Sequence, residues 1–332
     1  MYGLIMTEPG HIEMQTYASE ENLQDRDIKI KLLYGGICGS DVGVYKGKIV
    51  HASYPVRPGH ELLGEIIETG ENALLQKGTR VVIQPNSYCG ECEYCAAGMT
   101  NICPEKKSLG INVDGGFAEQ FTINEKYAIP VPEELSDEKA VLVEPFSVIV
   151  HAFRKIRVDA STKIAIVGCG TEGILAIGLA EHLGADVTAI DINEEKLQKV
   201  NQHYKQVHTM TPGQAEQNQY DYVLEAAGAK GTFEKSLDIV KPGGEIVVIG
   251  LAPHADLEVS KAVRKEVTVY GSIIYQAPKD FITSMDYLKR PSLNVEPVIS
   301  KIFALKDYQT AYEDAVSGHY GKIIINFKED AR

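Results

Sequence analysis

The sequence predicts an α/β protein of two domains, one of which is a doubly wound parallel sheet. A chain of 332 residues exceeds the usual size of a single hydrophobic core. In its middle, a glycine-rich turn between an apolar run and a helical pattern marks a βαβ unit. The preceding residues are rich in Gly and Pro and hold short strand-like runs, which is typical of a β-rich domain.

The composition is that of a folded, acidic chain. Hydrophobic residues make up 44% and charged residues 24%, as in ordinary globular domains. The net charge of −13 argues against a nucleic-acid partner, because binding a polyphosphate requires a basic surface. Residues 1–14 lack a basic segment and a long apolar run, and no stretch approaches the ~20 apolar residues that span a bilayer. We therefore expect a soluble cytoplasmic protein with no signal peptide and no membrane partner.

The β-rich segment holds three clear strand patterns, at residues 28–33, 65–69 and 80–84. Two motifs lie between the first two of them, Cys38 in "GGICGSDVGVYKG" and His60 in "RPGHELLGEI". Taken alone, a free cysteine with a histidine further along the chain is a weak signal, and His60 reads as an ordinary polar group. Neither residue predicts a site by itself.

Four cysteines gather in one loop, "SYCGECEYCAAGMTNICPE". They are Cys89, Cys92, Cys95 and Cys103, with the spacing C-x2-C-x2-C-x7-C. Disulfides are rare in a reducing compartment, and the ferredoxin motif for an iron–sulfur cluster has a shorter last gap and a companion set of cysteines. Four thiolates complete a tetrahedral zinc shell and leave no position for water or substrate. We therefore predict a structural zinc here and the chemistry elsewhere.

The segment "KIAIVGCGTEGILAIGLAEHLGADVTAID" predicts a nucleotide site. Residues 164–167 and 187–190 read as buried parallel strands, and the Gly-x-Gly-x-x-Gly turn between them lets the backbone approach a pyrophosphate at a helix N-terminus. Asp191 ends the second strand, where it can accept bonds from the ribose hydroxyls and repel a 2′-phosphate. No arginine follows it, so NAD(H) is predicted rather than NADP. The predicted cofactor-binding residues are Gly168, Gly170, Thr171, Glu172, Gly173, Ile174, Asp191 and Ile192.

The pattern of this sheet continues toward the C-terminus. Residues 220–228 and 243–251 read as further parallel strands, with a helix at 232–240 between them. Residues 267–272 read as the last strand of the same sheet. The doubly wound domain therefore extends over residues 146–274.

Taken together, the motifs resemble those of the zinc-containing medium-chain dehydrogenases, in the branch of sorbitol and other polyol, butanediol and threonine dehydrogenases. "CGSD", "GHE", the four-cysteine loop, "DGGFAEQF", "EPFSVIVHA" and the nucleotide unit occur in the family's order over almost the whole chain. The resemblance implies a discontinuous GroES-like β-rich catalytic domain, residues 1–145 and 275–332, and a Rossmann domain, residues 146–274. The run "GKIIINF" reads as a strand that returns to the first domain. A homo-oligomer, a tetramer or a dimer, is also implied, with the apolar strand near 267–275 pairing across subunits.

The resemblance further implies a catalytic zinc, the second zinc of the chain. Cys38 and His60 would hold it with a carboxylate, either Glu61 or Glu144, and an exchangeable water. The substrate alcohol would displace the water and ionise on the metal, and its hydride would pass to the nicotinamide of NAD. Ser40 is the candidate to accept the alcohol proton, with a turn serine that bonds its own backbone as the alternative.

The sequence departs from the family pattern two residues after "SD", where many relatives carry a histidine and this chain has Gly43. His51 or a chain of waters would then replace that part of the relay. Tyr45 fits the pattern and is a candidate for the substrate pocket, with a packed aromatic residue as the alternative. Basic residues near the proposed ligands either form a solvated loop or meet a negatively charged or phosphorylated polyol. They are Lys46, Lys48, His51 and Arg57.

The predicted function is therefore zinc-dependent hydride transfer between a secondary alcohol or polyol and NAD. A dehydrogenase of a phosphorylated polyol or of L-threonine is one alternative, and a catalytically silent relative that keeps only the four-cysteine zinc is another. The quinone-reducing branch of the superfamily lacks the cysteine and histidine ligands. The presence of Cys38 and His60 therefore argues against a zinc-free reductase.

Overall fold

The computed structural model describes residues 1–18 and 23–328. In that part of the chain the strands are β1 (Tyr2–Glu8), β2 (His11–Thr16), β3 (Asp27–Ile37), β4 (Glu61–Thr69), β5 (Arg80–Ile83), β6 (Gln120–Asn124), β7 (Ala128–Pro130), β8 (Lys163–Val167), β9 (Asp186–Ile190), β10 (His208–Met210), β11 (Tyr220–Glu225), β12 (Val240–Val248), β13 (Thr268–Gly271), β14 (Ile299–Ala304) and β15 (Lys322–Asn326). The helices are α1 (Gly39–Tyr45), α2 (Glu93–Ala96), α3 (Asp137–Ala140), α4 (Val143–Phe153), α5 (Thr171–His182), α6 (Glu194–His203), α7 (Thr232–Ile239), α8 (Val259–Lys265), α9 (Lys279–Leu288) and α10 (Tyr308–Ser317). None of these helices combines the length and the apolar character needed to cross a membrane.

The described chain divides into two compact units. The first contains Met1–Pro145, Gln276–Lys289 and the chain from Ile299 onward, and the second contains Phe146–Tyr275 and Arg290–Val298. The predicted first domain includes everything after residue 274, whereas in the structure Arg290–Val298 belongs to the second unit. The α/β class, with a β-rich unit and a doubly wound unit, is as predicted.

The segment Arg290–Val298 is held in the second unit by apolar packing and one hydrogen bond. Leu293, Val295 and Val298 are at most 1% exposed. The hydroxyl of Tyr204 donates to the carbonyl oxygen of Asn294 at 2.9 Å. The hydrogen bond joins residues 90 positions apart, and the short segment has no helix or strand period that would reveal its place in the fold.

The first unit is built on a seven-stranded sheet in the order β14-β15-β3-β4-β5-β7, with β6 pairing with β3. The strands predicted at 28–33, 65–69 and 80–84 are β3, β4 and β5, and "GKIIINF" forms β15. Strand β3 ends at Ile37 and β4 begins at Glu61, and Gly36 pairs with Glu61 in the antiparallel register. The register therefore brings the residues that follow β3 next to the residues that precede β4.

The second unit contains a six-stranded parallel sheet in the order β10-β9-β8-β11-β12-β13. Most residues of β8, β9 and β11 are buried, which explains why these strands read as nearly continuous apolar runs. The strand order reverses direction between β8 and β11. In doubly wound sheets, ligands bind outside the carboxyl ends of the strands at this point.

Candidate functional site

Cys38, His60 and Glu61 come together where β3 ends and β4 begins. A sulfur, a ring nitrogen and a carboxylate oxygen from these residues all lie within 4.8 Å of one another. His60 is 8% exposed and Glu61 is fully buried, so the donor atoms are largely shielded from bulk water. One thiolate, one imidazole and one carboxylate fit a catalytic zinc, because they fill three positions and leave the fourth open.

Asp41 organises this cluster, a role that was not predicted from the sequence. It is fully buried in α1. Its Oδ2 accepts the N–H of Cys38 at 2.9 Å and its Oδ1 accepts the N–H of Gly59 at 3.3 Å. Oδ1 also lies 3.4 Å from Nδ1 of His60, which has no hydrogen bond of good geometry among the described residues. A carboxylate facing one ring nitrogen leaves the other for a metal.

The charges around His60 favour its protonated form when no metal is bound. Burial by itself lowers the pKa of His60, but the charges of Asp41 and Cys38 outweigh burial and hold that pKa well above its ordinary value. Burial raises the pKa of Asp41, and His60 together with backbone N–H groups brings it below its ordinary value. A metal at this position therefore has to displace a proton from the imidazole.

Ser40, the predicted proton acceptor, lies beside the cluster. Its Oγ is 3.3 Å from Nε2 of His60, the nitrogen that faces away from Asp41. Ser40 is the second residue of α1, so the helix that begins after Cys38 determines its position.

Glu61 has a buried partner that the sequence analysis missed. One of its oxygens, Oε1, forms an ion pair with the ammonium group of Lys322, which is only 2% exposed. The other oxygen, Oε2, has no hydrogen-bond partner among the described residues. Lys322 is the first residue of the apolar strand β15. A lysine at the start of "KIIIN" was the feature of the sequence that could have indicated a buried ion pair. Glu61 thus has one oxygen neutralised and one oxygen left for a ligand.

Glu144, the alternative carboxylate, lies in the first turn of α4. It is 8% exposed. It does not belong to the group of donor atoms that lie within 4.8 Å of one another. Its role as a ligand stays a prediction.

The predicted pocket residues have different surroundings. The Tyr45 ring packs on the Tyr312 ring with centroids 5.8 Å apart. His51 and Lys48 are exposed in the loop after α1. A side-chain Cβ at Gly43 would lie 3.1 Å from Ile49, so a bulkier residue at this position would need Ile49 to shift.

Two of the basic side chains near the cluster are engaged by the protein itself. The Nζ of Lys46 donates to the carbonyl oxygen of Val316 at 3.1 Å. The Nε of Arg57 donates to the carbonyl oxygen of Gly115 at 2.6 Å, and its guanidinium lies 5.3 Å from the centre of the Tyr17 ring. These contacts give Lys46 and Arg57 structural roles.

The four-cysteine loop has the geometry of a metal site. The sulfur atoms of Cys89, Cys92, Cys95 and Cys103 lie within 4.8 Å of one another, and all are free thiols. The sulfur of Cys89 is 3.9 Å from that of Cys95 and 3.7 Å from that of Cys103. A tetrahedron with Zn–S bonds of about 2.3 Å requires sulfurs about 3.8 Å apart, so the loop fits zinc. Backbone N–H groups of Glu91 and Cys92 lower the pKa of Cys89 to about 7, which favours the thiolate.

The glycine turn of the second unit follows β8 directly. Gly170 precedes α5, whose first turn contains Thr171 and Glu172, and Gly173 packs against the carbonyl oxygen of Gly168. Ile174 is buried in α5. The turn and the helix have the predicted arrangement for a pyrophosphate at a helix N-terminus.

Asp191 links the glycine turn to the end of β9. Its Oδ2 accepts the N–H of Cys169 at 2.7 Å and its Oδ1 accepts the N–H of Asn193 at 2.8 Å. Each carboxylate oxygen keeps a second lone pair for a ligand. Ile192, the next residue, is 86% exposed. Burial and the charge of Asp191 raise the pKa of Cys169 to about 12, so this thiol stays protonated.

Comparison with known proteins identifies the family of the chain. The family described as "Alcohol dehydrogenase GroES-like domain" matches residues 24–133, and that described as "Zinc-binding dehydrogenase" matches residues 173–290. The chain is 30% identical to D-arabitol-phosphate dehydrogenase of Enterococcus avium, over 98% of this chain and 97% of that one. It is 31% identical to L-threonine 3-dehydrogenase of Coxiella burnetii, over 91% and 92% of the two chains.

A solved structure extends the comparison to the fold. The galactitol-1-phosphate dehydrogenase of Escherichia coli superimposes with a TM-score of 0.88 and 27% identity, covering 98% of this chain and 100% of that one. The similarity therefore includes both units. The chain belongs to the zinc-binding alcohol dehydrogenase family of nicotinamide-dependent oxidoreductases, the medium-chain dehydrogenases, with a GroES-like domain and a Rossmann domain.

Proposed function

We propose that the protein oxidises a secondary alcohol or polyol by hydride transfer to NAD at a zinc held by Cys38, His60 and a carboxylate. The observation that carries this proposal is the group of three different donor atoms within 4.8 Å, in a chain that also contains a dinucleotide turn. When bound, the zinc supplies Lewis acidity that lowers the pKa of the substrate hydroxyl.

The protein's own residues would remove the proton and hold the hydride acceptor. The nicotinamide dinucleotide, held at the glycine turn and Asp191, would supply the hydride acceptor, and the O–H proton of the alcohol would be left for the protein to remove. Ser40 would accept that proton, because its Oγ lies 3.3 Å from the proposed ligand His60. From there the proton would leave through water, and His51 in the exposed loop is the second candidate for this relay.

Glu61 is the proposed third ligand in this arrangement, and Glu144 the carboxylate that exchanges with it or lies behind the water. Glu61 supplies one of the grouped donor atoms, and its Oε2 has no other partner among the described residues. Zinc content of Glu61→Gln and Glu144→Gln tests the assignment. We expect the first variant to lose zinc and the second to retain it. The opposite pattern would assign the ligand to Glu144.

NAD is the proposed cofactor because Asp191 follows β9 directly and offers a carboxylate at the expected ribose position. Its two oxygens already order the glycine turn and the start of the next loop, so the charge is held in place before the cofactor binds. The ratio of kcat/KM for NAD to that for NADP measures this preference directly. A ratio below one would refute it.

The proposal includes two zinc ions per chain, of which the ion in the four-cysteine loop is structural. The match between the measured sulfur separations, 3.7 and 3.9 Å, and a tetrahedral shell supports this second ion. The six free thiols, in turn, are consistent with a reducing, cytoplasmic location, which is also proposed.

A homo-oligomer, a dimer or tetramer, is proposed from the edge of the parallel sheet. Within the described residues β13 pairs with β12 alone, so its other edge offers unpaired backbone groups. Val269 on β13 is 45% exposed, and Val263 on α8 is 68% exposed. A second copy would cover this edge, and the molar mass in solution tests it. A monomer would reject the proposal.

A phosphorylated polyol is the second candidate substrate. It is favoured by two similar proteins named as dehydrogenases of arabitol phosphate and galactitol 1-phosphate. The exposed Lys48 and His51 are the basic side chains left to meet a phosphate, since Lys46 and Arg57 are engaged elsewhere. L-Threonine is the third candidate, after a relative of that name.

The test is NADH formation by the zinc-loaded protein with sorbitol, xylitol, 2,3-butanediol, L-threonine and phosphorylated polyols. Activity with one class identifies the substrate. If no alcohol on the panel is oxidised although two zinc ions are bound, these substrate classes are refuted. If only one zinc is bound and no alcohol is oxidised, the catalytic site is refuted.

A further inference from the structure

Glu225 is a carboxylate buried at the carboxyl end of β11, and the proposed reaction gives it no role. It is 1% exposed. Its Oε1 accepts the N–H of Ala227 at 3.0 Å and the N–H of Gly228 at 2.8 Å. Its backbone carbonyl accepts the N–H of Ile249 at 2.9 Å and that of Gly250 at 3.1 Å. One residue therefore holds four N–H groups in the loops that follow β11 and β12.

These loops contact each other and the glycine turn directly. A Cβ on Gly168 would lie 2.9 Å from the backbone nitrogen of Ala227, and a Cβ on Gly250 would lie 2.2 Å from that of Gly228. The Oε2 of Glu225 lies against Gly250, since the same Cβ would be 2.4 Å from it. The turn at Ala227 and Gly228 thus packs against the glycine turn on one side and against the loop after β12 on the other.

The contact between the glycine turn and the loop after β11 lies where this kind of sheet binds its ligands. Strands β8 and β11 are the neighbours between which the strand order reverses, where doubly wound sheets bind their ligands. By this rule the ligand binds between the glycine turn after β8 and a backbone wall formed by the loops that Glu225 holds, after β11 and β12.

We infer that Glu225 is a positioning residue for the nicotinamide dinucleotide, because it fixes the backbone wall opposite the glycine turn before the cofactor arrives. The inference rests on the proposed use of that cofactor. Burying a carboxylate is costly unless N–H groups compensate it, and two charge-assisted bonds from adjacent residues do so. A wall that is already ordered loses less entropy on binding, which strengthens affinity without a direct contact.

The experiment compares Glu225→Ala and Glu225→Gln with Asp221→Ala, a matched control on the same strand. Asp221 lies at the opposite end of β11, where its Oδ2 accepts the N–H of Lys163 at 2.8 Å and its Oδ1 pairs with Lys241. Fluorescence titration gives the Kd for NADH, and melting temperature, zinc content, KM for NAD and kcat are measured on the same samples.

We expect Glu225→Ala to raise the Kd for NADH and the KM for NAD about tenfold or more, because two bonds to a charged group are lost. Zinc content stays unchanged, and kcat at saturating NAD is largely retained. Glu225→Gln keeps one acceptor oxygen without the charge and should raise the Kd roughly threefold. Asp221→Ala should lower the melting temperature but leave the Kd within about twofold.

A Kd for Glu225→Ala within twofold of the wild type overturns the inference, and so does an equal effect of Asp221→Ala. If Glu225→Ala does not fold, Glu225→Gln decides: a threefold weaker Kd supports the inference and an unchanged one overturns it. The wild type separates the two proposals. If the wild type binds neither NADH nor NADPH, the proposed function fails. If the wild type binds NADH and Glu225→Ala binds it equally well, only the role of Glu225 is refuted.

Discussion

The ammonium group of Lys322 and the carboxylate of Glu61 form an ion pair inside the first unit, with side chains 2% and 1% exposed. They come from β15 and β4, the two strands that flank β3. Gly36 of β3 makes room for them, since a Cβ there would lie 2.1 Å from Oε2 of Glu61. Lys322 therefore determines where a proposed zinc ligand lies and which of its oxygens is free.

Replacing Lys322 with methionine should destabilise the protein strongly. The change leaves the carboxylate of Glu61 buried without its cation, a defect that costs about 3–5 kcal/mol of unfolding free energy in other proteins. Urea denaturation of Lys322→Met measures the loss. The double variant Lys322→Met with Glu61→Gln removes both charges and should recover most of it. Additive losses in the double variant would contradict the coupling.

The two proposed zinc sites should separate in metal analysis. Cys38→Ser should lose one zinc and turnover while the fold stays intact, because Cys38 supplies the only sulfur in its donor group. Cys92→Ser should destabilise the four-cysteine loop and lose the other zinc, with the catalytic metal retained. Each variant is checked by zinc content and by melting temperature. Full activity of Cys38→Ser would show that the proposed mechanism is wrong.

Asp41→Asn should weaken zinc binding at the catalytic site. The substitution keeps the shape of the side chain but removes the charge 3.4 Å from Nδ1 of His60. Loss of such an outer partner costs about 10–100-fold in metal affinity or activity. Competition with a chelator measures the affinity, and Ser40→Ala is the control, expected to slow turnover with zinc affinity unchanged. Equal zinc affinities of Asp41→Asn and wild type would rule out this role.

Asp191→Asn should reduce the preference for NAD. The amide oxygen can still accept the N–H of Cys169, so the glycine turn keeps its support while the charge is removed. We expect the ratio of kcat/KM values for NAD and NADP to fall about tenfold, since hydrogen bonds from ribose to a charged acceptor are lost and a 2′-phosphate is repelled less. An unchanged ratio would mean that another residue reads the ribose.

The stability that Asp137 provides should depend on pH. Burial raises the pKa of Asp137, but its contacts with Lys328 and Arg80, each at 2.5 Å, outweigh burial and lower that pKa below its ordinary value. The stabilisation is therefore complete above the unfolded pKa of about 3.9 and disappears as the pH falls through the lower folded pKa. The melting temperatures of wild type and Asp137→Asn should differ at pH 7 and begin to converge only as the pH falls below the unfolded pKa of about 3.9. A constant difference would contradict this.

The sequence was sufficient for features whose residues are close together in the chain. The glycine turn, its flanking strands and Asp191 are contained in one stretch of 29 residues, 163–191. The four cysteines lie in one loop, where their spacing and the expected reducing compartment predict a structural zinc. The order of such local motifs along the chain was enough to identify the family and, with it, the two domains.

Only the tertiary structure revealed the partners of those motifs. Lys322 and Glu61 are 261 residues apart, and Glu225 was read as part of an ordinary strand until its contacts with two loops were visible. Asp41 stands in a recognised motif, but its bonds to both sides of the cluster depend on the register between β3 and β4. The physical reason is that an apolar pattern encodes which face of a strand is buried, whereas pairing and register are decided by distant residues packing together.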